Sequence, residues 1–472
     1  MLTLLIYNHI KQLHEGFPQM STIRKKKAML WAETSAGAGH MQVIAQMAKE
    51  LGAKGFEVTV VTSSMDVGKT FDYGDAKVLE LPQIKVTPAP TNQEPFTFST
   101  HQGQFHAESM DAFMAYLSEL QTTGQAQHGT EEPTLIHAHS ANDSGDWRTG
   151  LGDYLAERQK ILRNYLRREK PDVVVTEFWP IGRTNSNVEM VPLMGYIHHS
   201  QQRPLVFSIE RDVLFTQPFK KLGADGTDAR AYHTNQYVDA VIVRGDDKFI
   251  KLGDTFPPMS QITKPVYYAG YFAKPLPPRQ PMPDDEREVL VSAGGGFRAQ
   301  DMQLYTAAIN ARELTTLKDR TWRLLITPNC SDALFDEIKE TAAKKGSGII
   351  VERNRPDFKQ RLANAALSIS QGGYNTTLEA ASCETPAIIV PALDSANGEN
   401  EQVYRSQRFE EKGLLSTVSQ EDANNPTLFA EKINQVLARP KSAQMSVQLD
   451  GAKCAAEFID QQVCERSLRR SA

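Results

Sequence analysis

The stretch AMLWAETSAGAGHMQVIAQMAKELGAKGFEVTVVTS, beginning at residue 28, restricts the chain to few architectures. The apolar run 28–32 suits a buried strand, and Val43, Ile44, Met47, Ala48 and Leu51 then repeat with helical spacing. Gly52 and Gly55 punctuate the exit before a second strand at 57–62. A strand, a helix and a strand in that order form a βαβ unit, so the sheet is expected to be parallel. Further strands are expected at 172–176, 204–208 and 238–243. A second series follows at 289–293, 322–327, 348–352, 366–370 and 386–391, with helical patterns between them.

Between the two series lies YFAKPLPPRQPMPDDERE, residues 271–288, whose proline and charge density marks a linker. The expected organisation is an extension at 1–27, a first domain at 28–275, a linker at 276–288, a second domain at 289–445 and a terminal helix at 446–472 that returns to the first domain. Met20 reads as a start in its own right. Residues 83–147 are polar and rich in Gln, Thr and His, and read as a long insertion with little strand character. The helix expected at 151–170 has an apolar face of Leu151, Tyr154, Leu155, Leu162, Tyr165 and Leu166, and an outer face with Arg158, Lys160, Arg163, Arg167, Arg168 and Lys170. That basic face reads either as a solvated surface or as a peripheral membrane contact.

Composition excludes several classes. A net charge of -5 and a pI near 6.2 argue against a nucleic-acid binder held by bulk electrostatics. Cys330, Cys383, Cys454 and Cys464 form neither a disulfide framework nor a zinc pattern, which fits a reducing cytoplasm. No apolar run reaches the roughly 18 to 20 residues that span a bilayer.

Ligands of open α/β sheets bind beyond the carboxyl ends of the strands. Three glycine-rich loops are expected there. SAGAGH, residues 35–40, places Gly37 and Gly39 for close backbone approach and His40 at a helix start, as a base or as a cap. SAGGGFRAQD, residues 292–301, offers Gly294, Gly295, Gly296 and the cation of Arg298, suited to a diphosphate. SQGGYNTTLE, residues 370–379, offers Gln371, Gly372, Gly373, Asn375 and Thr376 at a helix start, with Glu379 one turn on. Backbone amides there suit a diphosphate, and a carboxylate accepts from vicinal hydroxyls such as those of a ribose.

The segment SQGGYNTTLEAASCETPAIIVPALDSANGENEQVYRSQRFEEKGL resembles the donor half of GT-B glycosyltransferases, especially family 28, which includes the GlcNAc transferase that makes lipid II. KPDVVVTEFWPIGR, PLVFSIERDVLF, YVDAVIVRGDDKFIKLGDTFP, PVYYAGYF and VLVSAGGG resemble a group of bacterial predicted glycosyltransferases related to that family. The likeness runs from about residue 28 to 415, apart from the insertion. It implies an α/β fold of two Rossmann-like domains facing a cleft. It also implies a ribose contact at Glu379, a donor-sugar contact at Glu401 and Gln402, and a reaction-centre histidine at His40. Glutamine stands in the lipid II enzyme where this chain has Glu401.

The resemblance implies transfer from a nucleotide sugar, UDP-linked, to an acceptor hydroxyl, with a glycan, lipid-linked or small-molecule acceptor. No cofactor and no metal are expected, since the Asp-x-Asp triplet of metal-dependent GT-A enzymes is missing from the sequence. Candidate bases, expected at strand ends facing the cleft, are His40, Glu210 and Glu177, with Arg183, Arg211 and Asp212 to orient the acceptor or to form ion pairs. RGDD, residues 244–247, reads as a structural turn. An epimerase or hydrolase of the same fold, and a non-catalytic nucleotide-sugar-binding subunit, compete with this reading.

Overall fold

The computed structural model describes residues 24–471 except 33–37, 64–70, 84, 88–94, 101–102, 110, 114, 117–146, 185, 215–220, 223–225, 295–300, 354, 393–400 and 440–446. Among the described residues the strands run as follows in chain order. The first series comprises β1 (Lys27–Trp31), β2 (Glu57–Thr62), β3 (Lys77–Glu80), β4 (Lys85–Thr87), β5 (Phe96–Thr100), β6 (Gly103–Ala107), β7 (Val173–Glu177), β8 (Leu205–Arg211), β9 (Lys221–Leu222), β10 (Thr227–Asp228), β11 (Ala240–Arg244) and β12 (Val266–Tyr268). The second comprises β13 (Val289–Ser292), β14 (Trp322–Ile326), β15 (Ile349–Arg353), β16 (Leu367–Ser370), β17 (Ala387–Ile389) and β18 (Ser416–Thr417).

Two parallel sheets carry the architecture. The first has the order β12-β11-β8-β7-β1-β2-β3 and the second β15-β14-β13-β16-β17-β18. Every pairing within them is parallel, so the carboxyl ends in each sheet open on one side. Their strands are apolar because helices cover both faces. On the first sheet, Val173, Val175, Phe207 and Ile209 pack under α1 (Ala38–Ala53), while Val174, Val206, Val241 and Val243 pack on the opposite side. That opposite side is covered by α2 (Trp147–Glu169) and α3 (Asn187–His198).

The remaining helices are α4 (Ala229–Tyr237), α5 (Asp301–Ala311), α6 (Asp332–Ala343), α7 (Phe358–Asn364), α8 (Tyr374–Ser382), α9 (Glu401–Glu411), α10 (Gln420–Ala423), α11 (Pro426–Ala438) and α12 (Gly451–Ser471). Helix α12 packs back on the first sheet through Ala455, Ala456, Ile459 and Val463, with Phe458 stacked on Tyr267 at 4.4 Å. Here the chain crosses between the sheets for the second time, beside the first crossing. The amide of Tyr271 donates to the Gln448 carbonyl at 2.8 Å, and that of Gly451 to the Tyr271 carbonyl at 3.0 Å. A Cβ on Gly451 would stand 2.2 Å from the Gly270 carbonyl oxygen, so only glycine fits the crossing.

Three sequence expectations need correction. The insertion contains a three-stranded antiparallel sheet, β4-β5-β6, whose Phe98 packs with Phe113, Tyr116, Tyr154 and Leu155. Its apolar residues are too sparse to read as strands until α2 supplies the facing surface. Strand β3 was not anticipated, because as an exposed, lysine-bearing edge it lacks an apolar pattern. Arg158 is buried rather than on the outer face of α2. It makes a forked pair with Glu189 of α3, at 2.9 and 2.7 Å, and donates to the Pro82 carbonyl.

Candidate active site

Alternation along parallel strands decides which strand-end residues meet. Glu177, Arg211 and Arg244 continue the series 173, 175; 207, 209; and 240, 242, which faces α1. At the start of α1, His40 is buried among them, and its Nδ1 lies 2.5 Å from Glu177 Oε2. Arg183 Nη2 lies 3.0 Å from His40 Nε2. A guanidinium only donates, so Nε2 is the acceptor and the ring proton sits on Nδ1, donated to Glu177. Arg244 Nη2 stands 3.5 Å from the other oxygen of Glu177. Burial alone would raise the Glu177 pKa. The hydrogen bond from His40 and the charge of Arg244 outweigh it and hold the carboxyl below the usual range.

The loop after β7 is shaped for this contact. Phe178 has a φ of 66°, its ring lies 5.7 Å from that of His40, and the Arg211 guanidinium sits 4.9 Å over it. A Cβ on Gly182 would fall 2.3 Å from the Phe178 ring, so glycine there lets the ring lie flat beneath the loop.

Glu210 was expected to face the cleft and does not. It belongs to the opposite series, with Val206 and Ser208, and is fully buried. Its carboxyl accepts from the amides of Ile181 and Gly182 at 3.3 and 3.2 Å and lies 2.6 Å from Ser208 Oγ. Ser208 Oγ also donates to the Trp179 carbonyl at 2.7 Å. Burial pushes the Glu210 pKa up to about 8, against the hydrogen bonds from Ser208 and the two amides, which act to lower it. Glu210 thus anchors the 178–182 loop from beneath. Asp212 is likewise withdrawn from any acceptor. It is fully buried and accepts from Arg405 Nη2 of α9 at 2.9 Å.

Arg405 ties the two domains together. The same nitrogen reaches Glu401 Oε1 at 2.7 Å, and Arg211 Nη1 lies 3.4 Å from Glu401 Oε2. Burial would raise the Glu401 carboxyl, but Arg405 and Arg211 overcome it and hold it low. Beside this network Phe249 stacks on Phe409 at 5.0 Å, and Tyr271 packs on Tyr374 and Phe409, forming an apolar core shared by both domains.

A cavity of about 210 Å³ opens above it. Its first-domain wall includes Gln42 and Gln46 of α1 with Arg211 and Arg244, and its second-domain wall includes Gly372, Gly373, Asn375, Glu401, Gln402 and Arg405. Gly373 caps α8 without a side-chain hydrogen bond, which leaves the first-turn amides to face the cavity. Gln402 accepts from the Ala392 amide at 3.0 Å and sits against Gly372, where a Cβ would come within 2.9 Å of it. Gln371 is buried and donates to Asp301 at 2.6 Å, fastening α5 to β16. Gly294 has a φ of 83°, and a Cβ there would stand 3.5 Å from the Thr376 hydroxyl. Glu379 stands outside this cavity, one turn along α8, with Lys359 Nζ at 3.1 Å.

The structure thus gathers Arg211, Gly372, Gly373, Asn375, Glu401 and Gln402 around one cavity, while Arg183, His40 and Glu177 form a chain of contacts that reaches its wall through Arg244. Gly39 lies in the first turn of α1, and Gly37, Gly295, Gly296 and Arg298 fall outside the described residues. Sequence reasoning missed Arg244 and Arg405. Arg244 ends its strand in register with Arg211, and Arg405 follows Glu401 by one helical turn, spacings that could have signalled both.

Residues 303–462 match the glycosyltransferase family 28 C-terminal domain. Over 98 residues, 21% of this chain, the sequence is 28% identical to the UDP-N-acetylglucosamine--N-acetylmuramyl-(pentapeptide) pyrophosphoryl-undecaprenol N-acetylglucosamine transferase of Wolbachia pipientis subsp. Culex pipiens (strain wPip). That match spans 28% of the relative's length. MurG of Acinetobacter baumannii superposes with a TM-score of 0.54 at 12% identity, over 92% of this chain and 99% of that one. The glycotransferase of kitacinnamycin gives a TM-score of 0.54 at 13% identity, over 93% of this chain and 100% of that one. The chain is a GT-B protein related to glycosyltransferase family 28.

Proposed function

We propose that the protein transfers a sugar from a UDP-linked donor to an acceptor hydroxyl, with His40 as the general base. The observation that carries this reading is the continuity from His40 through Glu177 to Arg244, which walls the same cavity as the Gly372–Gly373 loop. The acceptor oxygen would form a bond to the anomeric carbon as the bond from that carbon to the diphosphate breaks, and the acceptor proton would pass to His40 Nε2. An acceptor hydroxyl would replace the Arg183 contact at that nitrogen. Glu177 fixes the tautomer and stabilises the imidazolium that forms. The first-turn amides of α8 and the guanidinium groups of Arg211, Arg244 and Arg405 would stabilise the departing diphosphate.

Glu379 would hold the ribose hydroxyls, exchanging its contact with Lys359 for them, and Glu401 and Gln402 the donor sugar. The curated relative's UDP-sugar and undecaprenol-linked acceptor support a UDP donor and a lipid-linked or glycan acceptor. Among the described residues no helix is long and apolar enough to cross a membrane. We place the reaction in the cytoplasm, at the inner membrane face where the acceptor is lipid-linked. The test is a calorimetric titration with a panel of nucleotide sugars, with Glu379→Ala alongside, followed by nucleotide release with and without acceptors. Binding of one UDP-sugar that Glu379→Ala abolishes, with release that requires an acceptor, is expected. Release independent of acceptor would replace the transferase by a hydrolase or epimerase, and absence of binding across the panel would remove the donor site.

A further inference from the structure

The pole of the first domain opposite the cleft, at the amino ends of β7 and β8, carries an unassigned cavity of about 160 Å³ where α12 returns onto the sheet. Five cationic side chains line it: Arg24, Lys170, Arg203, Arg466 and Arg470. Two carboxylates answer them. Asp172, in the lining, stands 3.6 Å from Arg24, and Asp239 takes Arg203 at 3.1 Å. Among the described residues no ion pair ties Lys170, Arg466 or Arg470 to a carboxylate. The carboxyl ends of α2 and α12 add only about half a negative charge each. Positive charge therefore remains in surplus in a half-open pocket.

Arg466 lines the same pocket. It is half-buried and donates to the Arg203 carbonyl, and burial, then the charge of Arg470, pulls its pKa below the usual guanidinium value. A larger cavity of about 360 Å³ adjoins, sharing Lys170, Pro171 and Gln202, and Leu166, Ile197 and Pro204 give it apolar walls.

We infer that this pole is a second ligand site, which takes a phosphate group between Arg466, Arg470 and Lys170 and an organic body in the adjoining cavity. Guanidinium forks match phosphate oxygens, and the smaller cavity accommodates one such group. The phosphate belongs either to a free phosphomonoester or to a lipid headgroup. Because α12 supplies Arg466 and Arg470, occupancy would fasten that helix to the first domain.

The test is titration of the full chain with inorganic phosphate and with glycerol 3-phosphate, beside flotation with vesicles of phosphatidylcholine and phosphatidylglycerol in equal parts. Binding is expected to weaken at least about tenfold in Arg466→Ala, to persist in part in Arg466→Lys, and to be unchanged in Lys318→Ala, which removes an exposed cation remote from this pole and from the cleft. Arg470→Ala, an exposed position, serves should Arg466→Ala fail to fold. Soluble binding without vesicle capture assigns a free ligand, and capture without soluble binding assigns a headgroup, provided that either is lost in the arginine variants. Binding of neither probe, or equal binding by folded Arg466→Ala and Arg470→Ala, overturns the site.

Discussion

Glu177 ends β7 and Glu210 is one residue short of the end of the neighbouring parallel strand β8, yet they face opposite sides of the sheet, so one meets His40 and the other is sealed beneath the loop that both flank. Two carboxyls of similar sequence context therefore have opposite charge states, Glu177 ionised by its cations and Glu210 kept protonated by burial.

Replacing His40 by Ala should lower kcat by about 10²–10⁴-fold while leaving donor affinity in place, the range for a lost general base. Glu177→Gln should follow the same pattern more mildly, since it removes the charge that stabilises the imidazolium. Steady-state kinetics at saturating donor, with donor binding measured separately, checks both.

Glu210 makes stability fall as pH rises. Burial pushes its pKa up to about 8 in the fold, against an ordinary value of 4.5. Across that interval the unfolded chain loses a proton that the native one keeps, so stability declines from the lower value to the higher and then levels off. Glu210→Gln keeps the shape without the titration. Thermal unfolding against pH should show the variant matching the wild type in acid and exceeding its Tm at and above neutrality.

Arg405→Ala should cost about 3–5 kcal/mol, because it leaves Asp212 charged and buried without its partner. Arg211→Ala removes the other link to Glu401, but that pair is about one-third exposed, at 30% and 32%, and should cost under about 1 kcal/mol. Denaturation midpoints in urea separate the two.

Gly372→Ala should damage donor binding more than folding. The added methyl would meet Gln402 Cβ at 2.9 Å and Ile389 Cγ2 at 3.3 Å, pushing the loop away from α9. A rise of about tenfold or more in nucleotide-sugar Kd, read by calorimetry, is the expected result.

The two sheets were legible because parallel strands buried on both faces are written as continuous apolar runs, such as VVV at 173–175 and AVIV at 240–243. What such runs hide is parity. Nothing in PLVFSIERD says which alternate set faces α1, and so Glu210 and Arg211 looked equally available. Arg244 was hidden by its glycine neighbour, since RGDD reads as a turn whether or not its arginine points into a cleft. Arg158 was misplaced because helical spacing locates a face but does not reveal that a carboxylate on α3 will cover it. The β4-β5-β6 sheet depends on an aromatic cluster shared with α2, a long-range condition that local composition cannot carry.

The paired crossings at Gly270 and Gly451 govern how the two halves of the cleft can move. A single connecting strand would act as a tether, leaving the halves free to swivel and drift. Two strands bonded side by side act as a pin, leaving mainly rotation about one axis, so opening and closing should retrace one path. Because a side chain at either glycine would wedge the pin, a change far from His40 could alter how often the two walls of the cleft meet without touching any residue that lines it.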